Sequence, residues 1–341
     1  MRRPTTRALS ATAIALCLLV LGGCQVLNRS SGSDNLQGRI VWPKDGDLWV
    51  YDLASKQQQK ITNLPTGAAV TGASWSPDGK QVVYAQFWRR PNERQTGADL
   101  FIANSDGSEA RVFVSRDAPN TVLETPQWSA SGRVTYTQRH VTNGREATSI
   151  MRIAEGGEPE LLVDDGYNPA ISPDEQTLIY LRPTRVGQSM MKKTLGQPGD
   201  GCELMSDQVF QYLSLPRISP DNTRVALGGS GEPNLQAPSG CGGDPRTKPA
   251  ALAPLFGPSV AYAASTSSHG QPADIWTLNL DGSNMQRVAD IKDDDPSLAW
   301  SPDGTHMAIF GVAALYASDL KGGQPSKLVD QGGYGALDWS R

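Results

Sequence analysis

The fold is decided by the stretch Trp75-Ser76-Pro77-Asp78-Gly79-Lys80, which is followed by the apolar run Gln81-Val82-Val83-Tyr84-Ala85. Proline presets φ at the second position of a tight turn, aspartate bonds to nearby backbone, and glycine tolerates a positive φ. The apolar residues after the turn are typical of a half-buried strand. The stretch therefore predicts a strand, a tight turn and a second strand, and it assigns the aspartate to the turn rather than to catalysis or metal binding.

The same unit recurs along the chain, and recurrence at a regular period is the signature of a repeat architecture. A full copy begins at Trp300, degenerate copies begin at Trp128, Ile171 and Ile218, and a stub, Trp339-Ser340, closes the sequence. The residues assigned to repeat turns are Ser76, Pro77, Asp78, Gly79, Ser172, Pro173, Asp174, Ser219, Pro220, Asp221, Ser301, Pro302, Asp303 and Gly304. The copy at Trp128 departs from the pattern and reads Ser129-Ala130-Ser131-Gly132.

A second strand-like element accompanies each copy of the turn. These elements cover residues 47–53, 99–104, 149–153, 189–191, 274–280 and 314–320. Two further strands per period give four strands in about 40 to 50 residues, which is typical of a propeller blade. The sequence therefore predicts an all-β propeller.

The repeats resemble the TolB-type, WD40-like (PD40) β-propeller repeat, and the resemblance covers residues 38–341. The TolB family carries an α/β domain before its propeller and is soluble in the periplasm. In this chain we expect only a polar tether before the first strand, so the partner contacts of that family are not carried over.

The number of blades is predicted from the spacing of the motifs. Six motifs favour six blades, with strands at 39–42 and 59–62 completing the blade that Trp339 begins, so that the N- and C-terminal strands pair and close the ring. The gap between Ser219 and Ser301 spans 82 residues, and we assign its Gly-, Pro- and Ala-rich part to a long loop near 229–259. Seven blades without this insertion are the alternative.

The N-terminal residues are predicted to direct export. Arg2, Arg3 and Arg7 precede a short apolar run and the sequence Leu21-Gly22-Gly23-Cys24, which resembles the lipobox of bacterial lipoproteins. We therefore expect a signal peptide at 1–23, lipidation of Cys24 and a flexible tether at 24–37. A plain secretory signal or an uncleaved anchor is the alternative.

Two cysteines remain after the signal peptide and Cys24 are set aside. Cys202 and Cys241 both lie in Gly-rich segments. An exported chain with two such cysteines is expected to form one disulfide, worth roughly 3 to 4 kcal/mol for a closed loop of about 40 residues. Two free thiols are the alternative, and the spacing does not favour a metal site.

The sequence contains no recognisable catalytic set. The chain has three histidines, and His140 is expected to begin a loop. The acidic run Asp293-Asp294-Asp295 is either a solvated loop or a calcium site. The basic, aromatic stretch 88–91 is either a binding loop or a loop that packs on its own blade. We predict no metal and no cofactor, and the binding residues are unknown from the sequence.

The charge composition argues against one class of partner. The chain has 31 Lys+Arg and 35 Asp+Glu, and without residues 1–23 it has 28 against 35, a net charge of −7. The absence of a basic excess argues against a nucleic-acid partner. We expect an exported, lipid-anchored protein on the periplasmic or cell-surface face of a bacterial membrane.

The propeller is expected to act as a non-enzymatic platform for an envelope protein or polymer. Loops at 86–98 and 229–259 are expected to supply specificity. A metal-dependent propeller enzyme, of the lyase or lactonase type with ligands at the channel mouth, is the alternative.

Overall fold

The computed structural model describes residues 36–142, 145–185, 187–210, 212–231, 233–235, 237, 239–243 and 272–341. Within these ranges the chain forms 24 β-strands and no helix, so no helix there is long and apolar enough to cross a membrane. The signal peptide at 1–23, Cys24 and residues 25–35 of the expected tether lie outside the described residues. The expected end of the tether at 37 is wrong, because Leu36 is buried in a hydrophobic cluster and the Gln37 carbonyl accepts a hydrogen bond of 2.9 Å from Trp339 Nε1.

The strands group into four-stranded antiparallel units, here called blades 1 to 6 in chain order. Blade 1 contains β1 (Arg39–Lys44), β2 (Asp47–Asp52), β3 (Gln57–Lys60) and β24 (Asp338–Ser340). Blade 2 contains β4 (Ala69–Trp75), β5 (Gln81–Trp88), β6 (Gly97–Asn104) and β7 (Arg111–Val114). Blade 3 contains β8 (Val122–Trp128), β9 (Arg133–Thr142), β10 (Arg145–Ala154) and β11 (Glu160–Asp164).

The remaining blades follow the same plan. Blade 4 contains β12 (Tyr167–Ile171), β13 (Thr177–Pro183), β14 (Gln188–Thr194) and β15 (Cys202–Met205). Blade 5 contains β16 (Arg217–Ile218), β17 (Arg224–Ser230), β18 (Pro272–Asn279) and β19 (Gln286–Asp294). Blade 6 contains β20 (Ser297–Trp300), β21 (Met307–Phe310), β22 (Leu315–Ser318) and β23 (Ser326–Val329).

The innermost strands contact one another in a cyclic order: β24, β4, β8, β12, β16, β20 and again β24. The C-terminal strand β24 pairs antiparallel with β1, and Arg39 lies opposite Ser340. One parallel bridge between Ala98 and Val122 additionally joins blades 2 and 3. All six strand-like elements that the sequence predicted lie in or overlap the third strand of a blade. A seventh blade would have to come from 231–271, most of which lies outside the described residues.

The repeat turn is held by a local hydrogen-bond pattern. Ser76 Oγ donates to Asp78 Oδ1 at 2.8 Å and accepts from the Gln81 N–H at 2.9 Å, while Asp78 also accepts from the Lys80 N–H at 3.1 Å. The pairs Ser172–Asp174, Ser219–Asp221 and Ser301–Asp303 make the same contacts. The serine and aspartate thus satisfy backbone groups that the turn would otherwise leave unpaired.

The degenerate turn of blade 3 obtains its carboxylate from blade 4. Ser131 stands where the other copies have aspartate, and its N–H donates to Glu175 Oε1 at 2.6 Å. Glu175 stands where Gly79 and Gly304 stand in the complete copies, and it has a φ of 56°. Burial raises the pKa of Glu175, but hydrogen bonds from Ser131 and Arg133 outweigh that effect and lower it to about 2.

Motif tryptophans fill the space between blades. Trp75 of blade 2 packs with Val41, Leu48 and Val50 of blade 1. Trp339 likewise packs against blade 6. Side chains of this size dominate core energetics, and each anchors one blade to its neighbour.

The insertion in blade 5 is attached to blade 4. Cys202 and Cys241 form a disulfide with a Cα–Cα distance of 5.3 Å, and Ala237 is buried in the core that blades 4 and 5 share. Strand β17 continues to Ser230, so the insertion begins at 231 rather than at the expected 229. Its predicted end at 259 lies outside the described residues.

Candidate functional site

A cavity of about 550 Å³ lies where the inner strands begin. Each of the six blades that the structure describes contributes one residue that stands four positions before the Trp or Ile of its repeat motif. These six lining residues are Thr71, Glu124, Tyr167, Ser214, Pro296 and Gly335. The Ser-Pro-Asp-Gly turns follow the opposite ends of the same strands, so the repeat-turn residues and the cavity lie at opposite ends of the blades.

Three inner strands are irregular where they line the cavity. The pairing register shifts between Val70 and Gly72 in β4, between Glu124 and Gln127 in β8, and between Tyr167 and Ala170 in β12. A β-bulge bends a strand and turns a side chain away from its regular direction. These bulges redirect the chain at the cavity wall in three successive blades.

Four lining residues have a left-handed backbone. Thr125 has a φ of 50°, Asn168 of 51°, Asp165 of 62° and Asp295 of 42°. A positive φ is least favourable for a β-branched residue such as threonine. The buried hydroxyl of Thr137 supports this conformation, since its Oγ1 lies 2.9 Å from Thr125 Oγ1 and accepts from the Asn168 N–H at 3.0 Å. Strained backbone of this kind concentrates at functional sites.

The cavity wall is acidic. Glu124, Glu146, Asp165 and Asp295 line it together with one cation, Arg139, which gives a formal charge of −3 for these five groups. Arg139 bonds to Glu124 at 3.1 Å and to Glu146 at 3.3 Å.

The carboxyl and phenol groups of this wall have shifted pKa values. Burial raises the pKa of Glu124 against the attraction of Arg139. Burial also raises the pKa of Tyr167 to about 12, with a smaller contribution from Glu146. Both shifts favour the neutral form of the group, as expected where little water solvates the charge.

A long hairpin in blade 3 forms one wall. Strands β9 and β10 have 10 residues each, and the lining residues Arg139, Glu146 and Thr148 lie on them. His140 pairs with Ala147 inside this hairpin. The expectation that His140 begins a loop is therefore wrong, because the hairpin continues past the point where its neighbours in other blades end.

The basic, aromatic stretch 88–91 packs on its own blade. Trp88 Nε1 and Arg90 Nη2 both donate to the buried carboxylate of Asp99 at 2.5 Å. Arg116, which is also buried, bonds to the same carboxylate at 2.7 Å. The loop between β5 and β6 is thus fixed by Asp99, and Trp88 and Arg90 act within it rather than as a free binding surface.

The acidic run 293–295 lies beside the cavity and accepts hydrogen bonds from residues of blade 6 and of the segment before β24. Asp293 Oδ2 accepts from the Ala313 N–H at 3.1 Å, and Asp294 Oδ2 accepts from the Tyr334 hydroxyl at 3.0 Å. In the part of the chain that the structure describes, no three His, Cys, Asp or Glu side chains converge as a metal site would require.

The sequence holds one regularity that points to this cavity. The six lining residues that stand four positions before the motif Trp or Ile occupy one fixed position relative to the repeat, but they differ in chemistry from blade to blade. Because the repeat is otherwise regular, this position is where the chemistry of the surface changes between blades, and it is the position that lines the cavity.

No protein-family profile matches the chain, and no curated protein matches it. Among solved structures, TolB from Acinetobacter baumannii has a TM-score of 0.60 and 14% identity over 89% of this chain, which spans 66% of that protein, just under two thirds. A structure assigned as TolB from Agrobacterium tumefaciens gives 0.58 and 14% over 89% of this chain and 99% of that one. A chain of a nidogen/laminin complex gives 0.56 and 9% over 89% and 98%.

Identities this low establish the fold alone. The described strands and these likenesses confirm the all-β prediction and the resemblance stated from the repeats. The chain has a TolB-like β-propeller fold.

Proposed function

We propose that this protein is an extracytoplasmic lipoprotein, anchored through Cys24, whose propeller is a non-enzymatic platform for an envelope protein or polymer. The observation that carries the proposal is the cavity of about 550 Å³ to which all six blades contribute. Its volume lies in the range of specific ligand sites, about 300 to 1,000 Å³. A wall that lies partly on strands and partly on the short connections that precede them keeps such a site preformed, which lowers the entropic cost of binding.

The composition of the wall suits recognition rather than bond breaking. Its best-defined charged groups, Glu124, Arg139 and Glu146, are engaged with one another. An internally paired network fixes the shape and the charge of a surface. A partner would therefore meet a surface with defined donors, acceptors and charge.

The anchor rests on the sequence of the N-terminal segment. Lipidation at Cys24 would leave the propeller attached through residues 25–35, long enough to let the cavity face a partner in the envelope. The Cys24→Ser variant should move the protein from the membrane fraction to the soluble fraction. Mass spectrometry of the N-terminal peptide should find acyl chains on Cys24 in the wild type only.

Binding at the cavity is tested with a photo-crosslinking amino acid in the native membrane. One variant carries it at Asp165, an exposed residue of the cavity wall, and a matched variant carries it at exposed Lys80, beside a turn at the opposite end of blade 2. We expect a discrete crosslinked species at position 165 and none at position 80. Equal crosslinking at both positions, or none at 165, would overturn the platform proposal.

The same purified protein separates this proposal from the metal-dependent enzyme alternative. A platform should contain no metal in stoichiometric amount after purification without chelator, and chelation should leave crosslinking at position 165 unchanged. About one metal ion per chain, with crosslinking lost on chelation, would favour the enzyme.

A further inference from the structure

Two exposed apolar side chains lie beside the acidic cavity. Tyr334 is 51% exposed and Val312 is 39% exposed, and they are two of four large apolar side chains that are exposed in the described part of the chain. Their loops are joined, because the Gly333 N–H donates to the Gly311 carbonyl at 3.0 Å. The Tyr334 hydroxyl in turn holds Asp294. Together, Val312, Tyr334 and Asp294 are called the Tyr334 surface.

The Tyr334 surface continues into the cavity. Gly335, which follows Tyr334, lines the cavity, and so does Asp295, which follows Asp294. Ser297 Oγ donates to the Gly335 carbonyl at 2.5 Å and fastens the two segments together. A ligand in the cavity can therefore extend over this surface without crossing a gap.

We propose that this composite site binds an extended, basic segment of a partner polypeptide, with an arginine or lysine side chain in the cavity and an apolar neighbour on the Tyr334 surface. The inference rests on the proposed function and deepens it by naming the chemistry of the partner. Tyrosine is a preferred anchor at protein interfaces because it offers a large apolar ring with a polar tip.

Charge complementarity selects the occupant. The cavity wall has a formal charge of −3, and Asp294 adds a further carboxylate at its rim. Such a surface attracts guanidinium and ammonium groups and repels anionic polymers. Within the same wall, Arg139 already spans Glu124 and Glu146, so the geometry accommodates a guanidinium between carboxylates.

The size of the site favours a polypeptide over a small cation. The cavity of about 550 Å³ is larger than one basic side chain, and the apolar Tyr334 surface adds contact area outside it. A polyamine would satisfy the carboxylates but would leave Val312 and Tyr334 without apolar contact. Alternating basic and apolar side chains along an extended backbone satisfy both parts.

The test uses fluorescent nonapeptides with a central Arg-Leu pair, matched peptides in which Gln replaces Arg, and the detergent-solubilised full chain. Anisotropy should show at least tenfold tighter binding of the arginine peptide, with affinity falling as salt rises. The double variant Asp165→Asn/Asp295→Asn should bind the arginine peptide at least tenfold more weakly than the wild type does. A further peptide has Gly in place of Leu. The Tyr334→Ala variant should weaken binding of the Arg-Leu peptide more than binding of this Arg-Gly peptide.

The control variant is Glu109→Gln/Glu158→Gln, which removes two charges from exposed turns at the opposite end of the blades. It should change affinity less than twofold. Equal binding of the glutamine peptide, an equal effect of the control, or spermine binding as tightly as the arginine peptide would overturn the inference.

The crosslinking experiment separates the two proposals. Peptide mapping of the species crosslinked at position 165 should find arginine or lysine within a few residues of the attachment point. A crosslinked partner without basic residues there would leave the platform standing and overturn only the basic-segment inference. No crosslink at position 165 would remove the platform itself.

Discussion

Asp338 and Ser74 lie 264 residues apart in the sequence, and Asp338 Oδ2 accepts a hydrogen bond of 2.9 Å from Ser74 Oγ. The same carboxylate oxygen accepts from the Trp75 N–H at 2.8 Å, and Ser74 Oγ accepts from the Trp128 N–H at 3.0 Å. One chain of hydrogen bonds therefore joins the inner strands of blades 1, 2 and 3. Because β24 is the last strand, it brings the C-terminal residues into contact with the first blades.

The Asp338→Asn variant should be less stable than the wild type. Burial raises the pKa of Asp338, while hydrogen bonds from Trp75 and Ser74 and the attraction of Arg217 favour its charged form. Arg217 is itself buried and bonds to the Pro216 carbonyl. Asparagine is a weaker acceptor for the buried Ser74 hydroxyl and Trp75 N–H, and leaving a buried donor poorly paired costs about 1 to 3 kcal/mol.

Urea unfolding of the full chain measures this loss. Glu158→Gln, on an exposed turn, is the matched control and should change the free energy of unfolding by less than about 0.5 kcal/mol. Equal stability of Asp338→Asn and Glu158→Gln would show that the contact between blades 1 and 2 contributes nothing.

Acid should destabilise the repeat turns between pH 4 and pH 2. The hydrogen bond from Ser301, followed by that from the Thr305 N–H, lowers the pKa of Asp303 to about 2, and the equivalent Asp78, Asp174 and Asp221 also have lowered pKa values. A carboxyl whose pKa is lower in the folded state contributes stability above its unfolded value, near 4, and loses that contribution as pH falls through the folded value.

Urea midpoints measured at pH 7, 4, 3 and 2 test this dependence. The Asp303→Asn variant should be less stable than the wild type at pH 7, and the difference should shrink towards pH 2. A constant difference across the series would mean that the charge of Asp303 does not matter to the turn.

The carboxylate that blade 3 receives from blade 4 can be tested by restoring the repeat consensus. Ser131→Asp alone should destabilise, because it places a second carboxylate next to Glu175. Glu175→Gly alone should also destabilise, by about 1 to 2 kcal/mol, because the Ser131 N–H loses its charged acceptor. The double variant gives both turns the aspartate and the glycine of the complete copies and should be more stable than the sum of the single effects predicts.

A double-mutant cycle in urea gives the coupling energy directly. Additive effects of Ser131→Asp and Glu175→Gly would show that the blade 3 turn does not depend on the carboxylate that Glu175 supplies.

Loss of the Cys202–Cys241 bond should loosen blade 5. Cross-linking two residues 39 apart removes chain entropy from the unfolded state. In the chain-entropy model this stabilises the folded state by roughly 3 to 4 kcal/mol. Cys202→Ser/Cys241→Ser should therefore unfold at lower urea, and the wild type should approach it when reduced. Non-reducing peptide mapping of the exported protein should recover the two cysteines in one linked peptide, and two separate free thiols would contradict the bond.

Much of the site could not be predicted from the sequence. Trp88 and Arg90 were candidates for a binding loop because both residue types are frequent at interfaces. Only the folded chain places buried Asp99 beneath them, and that carboxylate fixes both side chains. The acidic run 293–295 is evident in the sequence. Its contact with Tyr334 is not, because Tyr334 lies 40 residues after Asp294 and only the folded chain brings the two together.

The sequence by itself determined the unit of the fold. The hydrogen bonds that define the turn join Ser76, Asp78, Gly79 and Gln81, within a span of six residues. A local pattern is therefore sufficient to predict the turn and its two strands. Tertiary structure decided where those units meet. The cavity takes one wall residue from each of six blades, and Asp338 meets Ser74 across nearly the whole chain. Such contacts depend on the packing and twist of the blades and on three bulges that redirect the cavity wall, and none of these is encoded in neighbouring residues.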